Sequence, residues 1–293
     1  MDQTLIPRIN VGDWVSDGID WLTDNATWFF DAFSTVMTLL VEGFSDILLS
    51  IPVFILLAVL VLIAWFIRSW RLALGALLGF LLVMGMRQWE TMLQTMSLVL
   101  VSTLTAVILA IPLGIWAAKS ETVSKIVRPI MDFMQTMPAF VYLIPAVTFF
   151  SIGVVPGVFS TIIFSLPPGV RMTELGIRQV DKETVEAGRS YGATPWQILR
   201  GIQLPLAVPT IMAGINQVIM LSLSMAVIAG MVGADGLGKE VTAAISTLDV
   251  AQGVEAGLAV VILAVYLDRL TAALGDLNAY KSSLLSQIRN RKG

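Results

Sequence analysis

No cysteine and no histidine occur among the 293 residues. The first absence removes disulfides, thiolate metal sites and thiol nucleophiles. The second removes Ser-His catalysis and the HExxH zinc motif. Charge is scarce as well: 13% of the residues are Asp, Glu, Lys or Arg, against about 25% in soluble domains. Met1 to Asn10 lacks a basic stretch followed by an apolar run, so no cleavable signal is read there. Gly233-Ala-Asp-Gly-Leu-Gly238-Lys239-Glu240 comes close to a P-loop. Glu240, however, stands where a hydroxyl would hold magnesium, and no strand precedes the run. It reads instead as a Gly-rich turn into a short helix, Leu237–Ser246. No cofactor, no metal and no nucleic-acid partner are expected.

What remains is apolar. Hydrophobic residues make up 56% of the chain and mean hydropathy is +0.83. These values place it among all-α polytopic membrane proteins. Segments long enough to span fall at 51–67, 71–86, 91–116, 129–150, 155–175, 206–232 and 254–271, about seven transmembrane helices in all. The second, with Gly75, Gly79 and Gly85, is the weakest. If the polar stretch 181–205 lies inside, Arg8, Arg87 and Lys239 are the only basic residues outside, and the rest of the 18 lie inside. That bias predicts an outer N-terminus and a cytoplasmic C-terminus.

Residues 1–50 are read as an external tail rather than a span. From Trp28 on, Phe29, Phe33, Val36, Met37, Leu40, Phe44, Ile47 and Leu48 fall on one helical face, and Asp31, Thr35, Thr38, Glu42 and Asp46 on the other. This predicts an amphipathic helix in the membrane interface, with packing on a partner protein as the other reading. Residues 51–90 form two accessory helices, and 273–293 form a cytoplasmic tail.

The longest polar island, Asp181 to Pro205, reads as two short helices with a tight corner. Asp181 caps the first, Gly192 ends it in the left-handed conformation, and Thr194, Pro195 and Gln197 start the second as a capping box. Ala187 and Gly188 make a small-residue patch that lets another backbone approach.

The same stretch resembles the EAA loop of ABC-importer permeases. Glu186-Ala187-Gly188 is followed by Gly192 and then by Ile202, Leu204 and Pro205 at that family's spacing; Gly188 stands where the family usually has Ala. Gln135–Val158, Pro167–Val180 and Ile215–Gly238 resemble permeases that import glycine betaine, proline betaine and related osmoprotectants. The resemblance implies a type I importer core of five helices at 91–272, acting as a homodimer in the bacterial or archaeal cytoplasmic membrane. It also implies cytoplasmic ATPase subunits that dock on the 181–205 loop, and an external substrate-binding protein. The chain itself would be a transport subunit without an ATP site.

Four polar or aromatic residues are candidates for the translocation path: Gln135, Tyr142, Asn216 and Gln217. Polar side chains within spans face the bundle interior. For Gln135, Asn216 and Gln217 the competing reading is hydrogen bonding between helices; for Tyr142 it is packing. The rival function is an ion-coupled secondary transporter of a small zwitterion, which needs its own coupling-ion site.

Overall fold

A computed structural model describes residues 10–275, with the side chain of Val11 excepted. The N-terminal tail before residue 10 and most of the C-terminal segment expected at 273–293 lie outside the described residues. Among these, every regular element is helical. In chain order they are α1 (Val11–Asn25), α2 (Thr27–Ser50), α3 (Val53–Ile67), α4 (Trp70–Gly85), α5 (Trp89–Lys119), α6 (Glu121–Thr136) and α7 (Leu143–Phe150). Then follow α8 (Val154–Arg178), α9 (Lys182–Ser190), α10 (Pro195–Ile198), α11 (Leu204–Ala229), α12 (Leu237–Thr247) and α13 (Val250–Gly275).

The centre of the bundle is α8, with α5 on one side and α11 on the other. Small residues let these backbones close up. A Cβ on Gly114 of α5 would lie 2.7 Å from the Val170 carbonyl oxygen, and one on Gly214 of α11 would lie 2.5 Å from Met172 Cβ. Without a hydrophobic effect between helices in lipid, such close approach is the main source of packing energy.

Five helices or helix runs are long and apolar enough to cross a membrane: α2, α5, α8, the run from α10 through α11, and α13. The pair of α6 and the Ala139–Phe150 segment passes the same test only when taken together, and it is bent by 108°. Here Pro138 has no N–H for the carbonyl of Met134, and the helix stops at Thr136.

Two segments before residue 90 stand apart from this core. The accessory helices α3 and α4 have 15 and 16 residues, about 22–24 Å at 1.5 Å per residue. Each is shorter than the roughly 30 Å hydrocarbon core, yet α3 runs from the α2 side to the Arg68–Arg269 contact at the 181–205 end, and α4 returns. They form a short hairpin on α13, fixed by a Tyr266 hydroxyl that donates to the Leu60 carbonyl (2.9 Å) and by Phe80 edge-on to Tyr266. Conversely α2, read as interfacial, passes the length and composition test for a span. Phe30 stacks on Phe149 at 4.4 Å, Phe33 meets Phe159, and Val41, Ser45 and Leu49 line a cleft with Leu98, Val154 and Asp235. These contacts all fall on the half of the bundle away from 181–205. Its apolar face divides: Met37 and Leu48 are buried, while Val36, Leu40 and Ile47 stay exposed.

Candidate functional site

At the other end of the bundle, α9 and α10 form the corner read from the sequence. Asp181 Oδ1 accepts from the Glu183 N–H (3.0 Å) and starts α9. The helix ends with the Gly192 N–H on the Arg189 carbonyl and the Ala193 N–H on the Gly188 carbonyl; Gly192 has φ +80°. A side chain there would meet nothing within 4 Å, so backbone conformation alone calls for glycine. The capping box is complete: Thr194 Oγ1 accepts from the Gln197 N–H (3.3 Å), and Gln197 Oε1 accepts from the Thr194 N–H (2.8 Å).

The corner is rooted by Ile198 and Leu199, both buried. Leu199 packs with Ile177 of α8 and with Ala207 and Ile211 of α11, and Ile115 and Ala118 of α5 adjoin them. Residues Leu199–Gln203 form a π-turn. Pro205 explains it, because its ring would clash with the carbonyl four residues back and forces a wider turn. Lys119 at the end of α5 donates to Gln203 Oε1, and Arg178 at the end of α8 donates to the Ala117 carbonyl (2.9 Å). Three core helices thus meet under one short polar element.

Within the loop, Gly188 is close to Ile202: a Cβ on Gly188 would lie 2.6 Å from Ile202 Cδ1. The small residue thus accommodates the loop's own second half. Glu186 borders a cleft of about 270 Å³ between α9 and the bundle, together with Arg178, Lys182, Arg189 and Gln203. No residue of α9 is buried. Ala187 is exposed, as are Tyr191, one turn further on (93%), and Trp196 in α10 (64%). The sequence reading overlooked these two aromatics. The signal for them was present, since both are large apolar residues within a polar island.

The path candidates separate. Gln135 is exposed on the last turn of α6, and Gln217 is exposed on an α11 face with Ala213, Met220 and Ser224. Tyr142 is buried, and its hydroxyl donates to the Met134 carbonyl. Asn216 is half-buried. Its Nδ2 donates to Asp268 Oδ1 (2.9 Å), and its Oδ1 accepts from the Thr271 hydroxyl (2.6 Å). These bonds pin α11 to α13, which is the helix-packing alternative. Residues 216 and 217 are about 100° apart around the helix, so one pins while the other stays free.

Sequence reading also missed Glu174, the only charged residue that is buried among the described ones. It accepts from the Ser124 hydroxyl (2.7 Å), Arg128 (2.8 Å) and Arg178 (3.0 Å). Arg171 pairs with Asp132, and Arg178 reaches Glu121 at 3.0 Å. These pairs bind α6 to α8 along most of the length of α6. A carboxylate already neutralised by two arginines is held as a structural anchor rather than left free for a travelling ion.

Residues 110–277 match the family model described as "Binding-protein-dependent transport system inner membrane component". The chain is 50% identical over 91% of its length to the glycine betaine transport system permease protein OpuAB of Bacillus subtilis, covering 94% of that protein. It is 48% identical over 92% to the glycine betaine/carnitine transport permease protein GbuB of Listeria monocytogenes, covering 96% of it. It is 45% identical over 93% to the glycine betaine/proline betaine transport system permease protein ProW of Escherichia coli, covering 76% of it. An inward-facing structure of the MetNI methionine ABC transporter superposes with a TM-score of 0.57 at 22% identity, over 66% of this chain and 95% of that one. This last likeness concerns the fold.

Proposed function

The chain belongs to the family of binding-protein-dependent transport system inner membrane components, and from that membership we propose how it works. It is a multi-pass membrane permease subunit, a transport component rather than a catalyst. The solute is a small zwitterion of the glycine betaine and proline betaine class, the class named for relatives 45–50% identical across nine-tenths of the chain.

The observation that carries the mechanism is the exposed, doubly capped corner at 181–205, seated on the ends of α5, α8 and α11. Glu186, Ala187, Gly188 and Gly192 shape the docking half; Ile202, Leu204 and Pro205 transmit its movement into α11. A cytoplasmic ATPase subunit receives the face carrying Ala187, Tyr191 and Trp196. Two permease chains and two ATPases then alternate between inward- and outward-open arrangements, each favoured by a different nucleotide state. The external binding protein delivers solute at the opposite end. In this arrangement the N-terminus is outside and the C-terminus cytoplasmic. Gln217 and Gln135 line the path; Asn216 and Tyr142 support it from behind. The permease core at 91–272 does this work, with residues 1–50 and 51–90 as accessory segments.

The test is reconstitution. The chain is expected to copurify with its ATPase and, with the binding protein, to drive ATP-dependent uptake of labelled glycine betaine into proteoliposomes. Uptake by the chain alone, driven by an ion gradient, would overturn the proposal.

A further inference from the structure

Beside the accessory hairpin, α4 and α13 enclose a groove of about 240 Å³. Gly75, Ala76 and Gly79 line one wall, and Val261, Val265 and Tyr266 the other. A Cβ on Gly79 would lie 2.9 Å from Ile262 Cγ2, so that glycine seats the two helices together; a Cβ on Gly75 would meet nothing within 4 Å, so that glycine leaves the groove open. Tyr266 is the one wall residue among these with a polar side-chain group. Its hydroxyl is turned away to the Leu60 carbonyl, leaving only its ring for the groove. Such a surface has nothing to offer water.

One end of the groove differs. Arg71, in the first turn of α4, borders it and is exposed. Among the described residues it has no carboxylate partner, and its guanidinium carbon lies 5.8 Å from the centroid of the Trp70 ring. Trp70 is itself half-exposed, as suits a residue at the depth of the lipid headgroups. Arg71 lies at the same bundle end as 181–205, because neighbouring Arg68 donates to the carbonyl of Arg269 near the end of α13.

We propose that this groove is a phospholipid site: one acyl chain lies between α4 and α13, and the lipid phosphate is held by Arg71. From Arg71 to Gly79 the wall rises about 12 Å, which places the chain in the hydrocarbon layer and the guanidinium at its border. Arginine suits a phosphate because its planar fork donates two parallel hydrogen bonds. A groove this apolar at that depth is filled by hydrocarbon, and the cation at its mouth selects an amphiphile with an anionic group.

The test uses the intact assembly, extracted from its own membranes and exchanged into lipid-free detergent, with native mass spectrometry counting adducts of phospholipid mass. Wild type is expected to retain one phospholipid per chain. Gly75→Leu fills open space and leaves the helix contacts intact, so it should fold and retain at least tenfold less. Arg71→Gln should retain several-fold less. Equal retention in wild type and Gly75→Leu, or no retained lipid in wild type, overturns the site; unchanged retention in Arg71→Gln overturns the phosphate contact. A Gly75→Cys variant covers the remaining occupant, a second copy of the chain. The protein has no native cysteine, so a disulfide-linked dimer through position 75 would show that a second chain covers the groove, against the proposal.

Discussion

The hydroxyl of Tyr142 donates a 2.5 Å hydrogen bond to the carbonyl of Met134, the acceptor that Pro138 leaves without its helical partner. The Ser160 hydroxyl adds a second tie, to the Tyr142 carbonyl at 3.2 Å. The 108° break is thus closed by side chains from after the break and from α8. Tyr142→Phe removes the first tie and is expected to cost about 1–3 kcal/mol, the penalty of an unsatisfied buried polar group. Thermal unfolding of the purified permease checks it; an unchanged midpoint would show that the carbonyl finds another donor.

Asn216 and Gln217 are neighbours with different surroundings, which makes them a paired experiment. Asn216→Leu is expected to destabilise by about 0.6–2 kcal/mol, through lost bonds to Asp268 and Thr271. Gln217→Leu should leave stability unchanged and reduce uptake. Equal stability loss in both would mean that Gln217 is also a packing residue.

Gly192→Val forces a β-branched residue into the left-handed region at a cost of about 1–2 kcal/mol and turns α10 away from its position. Insertion and dimer formation should survive, whereas ATPase binding and solute-stimulated hydrolysis should be lost. Gly188→Ala is the control. It needs only a small rotation of the Ile202 tip, and it should couple normally. Subunit ratio and ATP turnover of each purified complex distinguish them.

Glu174→Gln leaves Arg128 and Arg178 facing an uncharged amide at the α6–α8 contact. Both arginines are partly exposed, so no charge is left buried, and the loss should be about 1.5–2 kcal/mol, the low range for hydrogen bonds to charged groups. Thermal stability in detergent measures it; a loss below 1 kcal/mol would mean that solvent already screens the cluster.

Single cysteines read the orientation without background. One at Ser190, beside the corner, should react with an impermeant thiol reagent only from inside, and one at Thr247, the end of α12, from outside. Labelling of position 190 from outside would reverse the orientation and remove the corner from the ATPase.

Much of this protein was legible from local pattern. Caps, the Gly192 stop, the Thr194–Gln197 box and the short helix after Gly236 depend on neighbours within a few residues, and local hydrogen bonds decide them. Long apolar runs identify membrane helices because an unpaired backbone is intolerable in lipid. Other features had no local sign. The 24 residues of α2 are apolar enough to cross, yet their contacts at Phe30 and Val41 fall on one half of the bundle. Composition measures the cost of entering lipid, and that cost does not specify depth. Gly188 looked like a seat for a partner and is occupied by Ile202 of the same loop.

The sequence by itself determined the class, an all-α membrane bundle, and the address of its polar corner, since both follow from how backbone and side chains pair over short distances. Tertiary structure alone decided which polar residues are committed. Asn216 is bound to Asp268 and Thr271, 52 and 55 residues away, and Glu174 to Ser124 and Arg128, 50 and 46 residues away. The physical reason is that a buried polar group takes its role from the partner that satisfies it, and in a helical bundle that partner comes from another helix.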